Sequence, residues 1–181
     1  MKAFKSILEL WVPFAVTMTL VCGIIYIVAQ QIYRQNANDP QVQMAENAVN
    51  AIHDGADPKS LISGHPVELS NSLSPYLIIY DGSQQPLVSD ATLNGKMPVL
   101  PSGVLDFVKK NGENSITWQP RMGIRQALVI KKTQSAQLYY VVAGRSLRKV
   151  EERIRLLNDQ IKLGWICSLT ILFIVIWVMK H

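Results

Sequence analysis

The chain has 181 residues and a formal net charge of +5, which bounds it to one modest domain with additional segments. Its two cysteines, Cys22 and Cys167, both lie in apolar end segments, so the stretch between them has no internal disulfide and no cysteine-based metal site. The basic residues are scattered or lie beside apolar segments, which favours a membrane surface over nucleic acid as their partner.

An apolar segment opens the chain. Lys2 and Lys5 precede residues 10–33, which carry no charge and are long enough to cross a hydrocarbon core of roughly 30 Å. The apolar run exceeds the roughly 7–15 residues of a secretory signal, and Ala29-Gln30-Gln31 is a poor cleavage site. We therefore predict an uncleaved transmembrane helix.

A second helix is predicted to begin at Asp39-Pro40 and to end near Asp54-Gly55. Its apolar residues are spaced three and four apart, and they are Val42, Ala45, Val49 and Ile52. This spacing is typical of a helix that packs on other helices, in this chain or in a second copy, and would complete a four-helix stalk. The alternative is that the helix covers one face of a sheet.

Strand patterns occupy the middle of the chain. The predicted strands are 76–80, 86–89, 115–119, 124–132 and 137–143, and a short helix is predicted from Val104 to Lys110. The turns that join the later strands are too short for parallel crossovers. We therefore predict an α+β fold, a five-stranded antiparallel sheet with helices on one face. Its core should include Ile78, Trp118, Val129 and Val141.

The C-terminal segment combines a charged half with an apolar half. Within the charged part, from Ser146 to Lys162, apolar residues recur three and four apart, at Leu147, Val150, Ile154, Leu157 and Ile161. Residues 163–179 follow without charge or proline and form a second predicted span. We predict one continuous helix whose apolar seam pairs with its copy in a second chain. The alternatives are a plain membrane anchor and a helix that rests on a sheet.

The lysines at the two ends predict the orientation. Lys2 and Lys5 precede the first span and Lys180 follows the second, so both termini should be cytoplasmic. The predicted segments are a cytoplasmic tail 1–9, transmembrane helices 10–33 and 163–179, an extracytoplasmic domain 34–162 and a cytoplasmic end 180–181. The expected location is a bacterial cytoplasmic (inner) membrane.

Residues that could carry chemistry form few clusters. His53, His65 and His181 are far apart and lack metal-ligand spacing, and there is no G-x-S-x-G, G-x-G-x-x-G or P-loop pattern. We therefore expect no catalytic, cofactor or metal site and no enzyme activity.

Basic and aromatic residues occur together around the third and fourth predicted strands. A pocket for an anionic small molecule would be lined by Trp118, Arg121, Arg125 and Tyr139, because an arginine side chain binds carboxylates through two parallel hydrogen bonds. The alternative is a solvated face of the domain.

Two spans that enclose such a domain resemble the input half of a bacterial sensor histidine kinase. The resemblance is carried by Tyr76-Leu77-Ile78-Ile79-Tyr80-Asp81-Gly82 and by residues 140–151, YVVAGRSLRKVE, which look like a last sheet strand running into the helix before the second span. It implies a PAS-like or single-Cache domain outside the membrane. It also implies a signal-input module of a two-component system that passes its signal through residues 146–179.

The family places a HAMP linker and a kinase after the second span, and neither lies before His181. The resemblance therefore implies a stand-alone sensor or a truncated kinase. Its expected partners are the lipid bilayer, a second copy of the chain, a kinase or other output protein in trans and an unnamed small molecule, but not nucleic acid. A different class of function is an accessory or structural membrane protein that binds a partner through the same domain.

Overall fold

The structure is a computed structural model that describes residues 2–36, 38–135 and 137–180. The helices are α1 (Lys2–Asn36), α2 (Asp39–His53), α3 (Ser102–Asn111) and α4 (Arg148–Met179). The strands are β1 (Val67–Glu68), β2 (Tyr76–Asp81), β3 (Pro86–Ser89), β4 (Ala91–Thr92), β5 (Glu113–Arg121), β6 (Ile124–Lys132) and β7 (Tyr139–Ser146). The chain divides into a helical unit, residues 1–34 with 151–181, and a sheet unit, residues 35–150.

The sheet unit contains a five-stranded antiparallel sheet in the order β3-β2-β7-β6-β5, so the predicted α+β class and the five antiparallel strands are confirmed. The last strand in the sequence, β7, is the central strand of the sheet. The two-residue strands β1 and β4 form a separate parallel pair in segments where no strand was predicted. Strands this short leave no period-2 pattern in the sequence.

The sheet is covered on both faces, which corrects the prediction that its helices lie on one face. One face packs on α2, and the other packs on Leu105 and Val108 of α3 together with residues from β1, β4 and the segment before α3. The reason lies in β2, where all five residues from Tyr76 to Tyr80 are apolar and buried. Because successive side chains point to opposite faces, such a strand needs cover on both sides.

The apolar face of α2 lies on the sheet and not on other helices. Ala45 is fully buried and Ile52 is 5% exposed, in a cluster with Leu77, Val129 and Val141 of the sheet. The expectation that this face completes a helical stalk is therefore wrong, and the alternative that it covers a sheet face is confirmed. The helix itself begins at Asp39, with Pro40 in its first turn, as predicted.

The four predicted core residues are all buried. Ile78, Val129 and Val141 are at most 2% exposed, and Trp118 is 9% exposed. Trp118 belongs to the cluster on the α3-covered face, which also contains the fully buried Tyr76, Tyr80 and Tyr140. The hydroxyl of Tyr80 accepts a hydrogen bond from the backbone N–H of Leu100 at 3.0 Å.

The helical unit contains the two helices that are long and apolar enough to cross a membrane. Only 6% of the most apolar stretch of each helix is buried within the protein, whereas the core helix of a soluble protein is mostly buried. They run antiparallel, because Trp11 Nε1 donates to the carbonyl oxygen of Leu169 at 3.2 Å and Trp165 Nε1 donates to Thr19 Oγ1 at 3.0 Å. As predicted, α4 is one continuous helix from the charged half through the apolar half.

Candidate functional site

The structure does not bring the four predicted pocket residues together. Trp118 pairs with Gln126 and lies on the α3-covered face, whereas Tyr139 pairs with Asp81 and packs with the α2-covered face. Arg121 and Arg125 are exposed in the β5–β6 hairpin near Trp118. Sequence proximity and residue type suggested a pocket, but strand alternation places its two aromatic side chains on opposite faces.

A groove of about 690 Å³ lies instead between α2 and the ends of β5 and β6. This volume is within the range of about 300–1,000 Å³ that small-molecule sites occupy. The titratable side chains in its lining are Glu46, His53, Glu113, Lys131 and Lys132. The groove therefore presents both signs of charge beside the sheet.

Lys131 is the central polar residue of the groove. Its Nζ lies 2.8 Å from Glu46 Oε1 and 3.0 Å from Glu113 Oε2, and its side chain is 18% exposed. The hydrogen bond with Glu46, more than that with Glu113, raises the pKa of Lys131 above its ordinary value against the opposing effect of desolvation. Lys131 lies on β6, and its ammonium therefore links Glu46 of α2 to Glu113 of the adjacent strand β5.

The two carboxylates that hold Lys131 were not predicted from the sequence to belong to a site. Glu46 is 85 residues away in the chain. One signal was available, since Glu46 and Asp39 are the only acidic residues of α2 and Glu46 directly follows the buried Ala45. A single acidic residue beside the apolar face of a helix indicates a basic partner nearby. Here that partner would lie at the edge of the sheet that the helix covers.

Replacing Lys131 by methionine removes both ion pairs and should lower the free energy of unfolding at neutral pH. The loss should be only about 1 kcal/mol, because both carboxylate partners are half-exposed or more. Since the pKa of Lys131 is raised in the folded state, this contribution is complete below the ordinary value of 10.5 and is lost as the pH rises through the folded value. Denaturant melts of the two proteins should therefore differ at neutral pH and converge at strongly alkaline pH. Lys110→Met, on the exposed side of α3, is the control, and an equal effect there would contradict the assignment.

The second feature of the site is the junction between β7 and α4. The strand ends at Ser146 and the helix begins at Arg148, so Leu147 alone separates them. The N–H of Leu147 donates to the carbonyl oxygen of Arg125 at 2.9 Å, which extends the β6–β7 ladder to the first turn of the helix. The central strand of the sheet therefore leads into α4 without an intervening loop.

Three side chains at this junction donate to the backbone of segment 69–73. Gln126 Nε2 lies 3.3 Å from its first carbonyl oxygen, Arg148 Nη2 lies 2.8 Å from the central one, and Arg145 Nε lies 3.4 Å from the last. Gln126 is on β6, Arg145 is on β7 and Arg148 is in the first turn of α4. Segment 69–73, which begins as a turn, thus contacts all three elements that meet at the junction.

The segment itself is anchored by Glu68, the residue before it. The Glu68 carboxylate accepts hydrogen bonds from Ser70 Oγ, Thr92 Oγ1 and the N–H of Asn94, at 3.1–3.2 Å. Desolvation raises the pKa of Glu68, but these hydrogen bonds outweigh it and hold the pKa below its ordinary value. The parallel β1–β4 pair and this carboxylate together hold segment 69–73 against the sheet.

A tyrosine–glycine contact occurs close to the end of β7. Gly144 pairs with Tyr76 across β2 and β7, and the Tyr76 ring covers the glycine so closely that a Cβ there would lie 2.2 Å from Tyr76 Cζ. Burial raises the pKa of the Tyr76 hydroxyl, which has no hydrogen-bond partner among the described residues. Only glycine allows the Tyr76 ring to approach the strand this closely before the junction.

The histidines do not form a metal site in the part of the chain that the structure describes. His53 borders the groove and His65 lies in the loop before β1, whereas His181 lies outside the described residues. Among the described residues no group of three or more His, Cys, Asp or Glu side chains is close enough to hold a metal ion.

Comparison of the chain with protein-family models and with curated proteins found no match. The resemblance to sensor input domains therefore depends on the residues and architecture of this chain alone.

Proposed function

We propose that the chain is a two-span membrane protein whose sheet unit is an extracytoplasmic signal-input domain of the PAS-like or single-Cache type. The observation that carries the proposal is the course of β7, which is the central strand of the sheet and leads into α4 through Leu147 alone. The same helix continues into the uncharged residues 163–179. A change in the sheet therefore has a direct covalent route to a membrane-spanning segment.

The groove lies close to this route. Lys131 pairs with Val141 of β7, so the ammonium that holds Glu46 is one strand away from the central strand. A ligand carboxylate that bound Lys131 would compete with Glu46 and weaken the link between α2 and the sheet. Because segment 69–73 contacts β6, β7 and the first turn of α4, a displacement of β7 moves the start of the helix with it.

The lysines at the chain ends support the orientation, with both termini cytoplasmic and the sheet unit outside. In this arrangement the protein lies in a bacterial cytoplasmic membrane as a homodimer. It acts on a kinase or other output protein, in trans or in a longer chain. No catalytic role is assigned to its residues.

A chimera tests whether the domain passes a signal. Residues 1–179 are joined to the linker and kinase half of a sensor histidine kinase, and autophosphorylation is measured in membranes. We expect Lys131→Met to shift the phosphorylation level, because it weakens the link between α2 and the sheet. Inserting Gly-Gly between Ser146 and Leu147 should abolish that shift, since glycine breaks the direct strand-to-helix connection.

The control insertion is Gly-Gly between Gly82 and Ser83, in the exposed turn between β2 and β3 at the end of the sheet opposite the junction. It should preserve the shift. The proposal is contradicted if Lys131→Met leaves phosphorylation unchanged, or if both insertions have the same effect.

The second candidate function is an accessory or structural membrane protein that holds a partner through the sheet unit. One observation favours it, the side chain of Met122 at the tip of the β5–β6 hairpin, which is 94% exposed. Methionine is enriched in the cores of protein interfaces. In this case Met122→Ser would abolish co-purification of the partner, and the chimera would not respond to Lys131→Met.

A further inference from the structure

Asparagine followed by glycine occurs twice in the chain, at Asn94-Gly95 and at Asn111-Gly112. In this dipeptide the backbone nitrogen of the glycine can attack the asparagine side chain readily, because glycine has no side chain to obstruct the approach. Both pairs lie in the sheet unit, and both asparagines are exposed to solvent. The dipeptide itself predicts the same reactivity at both sites, so any difference between them comes from the fold.

The fold holds both reacting groups of Asn111-Gly112. Asn111 is the last residue of α3, and its Nδ2 donates to the carbonyl oxygen of Phe107 at 2.9 Å. The N–H of Gly112 donates to the carbonyl oxygen of Val108 at 2.8 Å. Attack of the Gly112 nitrogen on the Asn111 side chain would therefore break both hydrogen bonds and unwind the last turn of the helix.

Asn94-Gly95 lies instead at the tip of a two-residue turn. Leu93 and Lys96 close this turn with two backbone hydrogen bonds, of 2.8 and 3.2 Å. The Asn94 side chain has no hydrogen-bond partner among the described residues. A Cβ added at Gly95 would meet no atom within 4 Å, so the space around the turn is open. The Asn94 side chain therefore needs only a local opening of an exposed turn to reach the Gly95 nitrogen.

The Glu68 carboxylate lies beside this turn. It accepts hydrogen bonds from the N–H of Asn94, at 3.2 Å, and from the N–H of Gly95. A general base must be within hydrogen-bond reach of the proton that it takes up. The acceptor of the Gly95 proton is thus an ionised carboxylate, whereas the acceptor of the Gly112 proton is a peptide carbonyl, which is not a base at neutral pH.

We infer that Asn94 is a site of spontaneous covalent modification, at which the asparagine is converted to aspartate or isoaspartate while Asn111 is protected. The Gly95 nitrogen bonds to Asn94 Cγ, and its proton passes through Glu68 to the leaving Nδ2, which departs as ammonia. Water then opens the cyclic imide at either of its two carbonyl groups, which gives aspartate or isoaspartate. The inference does not depend on the proposed function, because it concerns chemistry within the sheet unit alone.

Modification at this turn acts on the segment that contacts the start of α4. The carboxylate that binds the Asn94 N–H also accepts hydrogen bonds from Ser70 and Thr92, beside segment 69–73. A second negative charge next to Glu68 repels it. Isoaspartate also lengthens the main chain by a methylene group, which the two-residue turn cannot take up without losing hydrogen bonds. The product should therefore loosen the hold of Glu68 on segment 69–73.

Peptide mapping by mass spectrometry tests the site in the full chain. The detergent-solubilised protein is incubated at mildly alkaline pH, and conversion of Asn94 and Asn111 is followed over several weeks. Asn94 should convert at least about tenfold faster, since two hydrogen bonds hold the reacting groups at Asn111. In denaturant the two sites should convert at similar rates, because the dipeptide is the same. Equal rates in the folded protein, or conversion of Asn94 only in denaturant, overturn the inference.

Glu68→Gln tests the part that the carboxylate takes in the reaction. It keeps the shape of the side chain but removes the base, so conversion of Asn94 should slow several-fold while that of Asn111 stays the same. Faster conversion of Asn94 in this variant would show that Glu68 only restrains the turn and does not assist the reaction.

Two variants of Asn94 test the effect on segment 69–73. Asn94→Asp carries the charge of the product, whereas Asn94→Gly keeps the left-handed turn without a charge. Amide hydrogen exchange of residues 69–73 should be several-fold faster in Asn94→Asp than in Asn94→Gly. Equal exchange in the two variants would mean that modification of Asn94 leaves segment 69–73 in place, against the inference.

Discussion

Replacing Gly144 by alanine should lower the free energy of unfolding of the sheet unit by about 3 kcal/mol, at the upper end of the usual cost of overpacking. The added Cβ would lie 2.2 Å from Tyr76 Cζ and 2.4 Å from its hydroxyl oxygen, far inside van der Waals contact. The Tyr76 ring is fully buried, so it cannot move aside without disturbing the core. Pulse proteolysis of the detergent-solubilised chain in increasing denaturant measures the change.

Two variants show whether the contact with Tyr76 is the cause. Gly103→Ala, in α3, adds a Cβ that meets no atom within 4 Å and should cost little or nothing. In a Tyr76→Ala background, which has its own cavity cost, Gly144→Ala should add almost no further destabilisation. If Gly144→Ala is as harmless as Gly103→Ala, the packing of Tyr76 on β7 is incorrect.

Replacing Trp118 by alanine should lower the free energy of unfolding by about 3–5 kcal/mol, the usual cost of a large-to-small change in a core. Trp118 is 9% exposed and packs in the cluster that also contains Leu128 and Tyr140. Trp118 lies on β5, paired with Gln126 of β6, and its ring packs in this cluster, so removal of the indole leaves a cavity there. The same proteolysis assay measures this loss.

Met122→Ala is the matched control, because it also truncates a large side chain of the β5–β6 hairpin, but one that is 94% exposed. Its effect on stability should stay within about 0.5 kcal/mol. Similar losses for Trp118→Ala and Met122→Ala would mean that the α3-covered face of the sheet is not a packed core.

Gly144 also connects stability with the proposed signal. It lies two positions before the end of β7, and the strand leads directly to α4. The close packing of the Tyr76 ring on Gly144 fixes the position of β7 relative to β2. Tyr76→Phe keeps the aromatic ring and removes only the hydroxyl, which has no hydrogen-bond partner among the described residues. We therefore expect this variant to stay folded.

Several features follow from the sequence alone because they depend on local patterns. Charge-free runs at 10–33 and 163–179 predict two helices long and apolar enough to cross a membrane, since hydrophobic length is a property of the segment itself. Asp39-Pro40 marks the start of α2, and short turns between β5, β6 and β7 require antiparallel pairing. The direct step from β7 to α4 is visible as a strand pattern followed at once by a helical one.

Other features were decided only by the tertiary structure, because they depend on which distant segments meet. The three–four spacing in α2 is compatible with a helical seam and with a sheet face, and the apolar surface of β2, β6 and β7 determined the outcome. The candidate site shows the same limit. Lys131 meets Glu46 across 85 residues, and the alternation of strand residues places Trp118 and Tyr139 on opposite faces. A local pattern specifies the element and its apolar side, whereas partners and faces follow from long-range strand register and from the packing of each element on its neighbours.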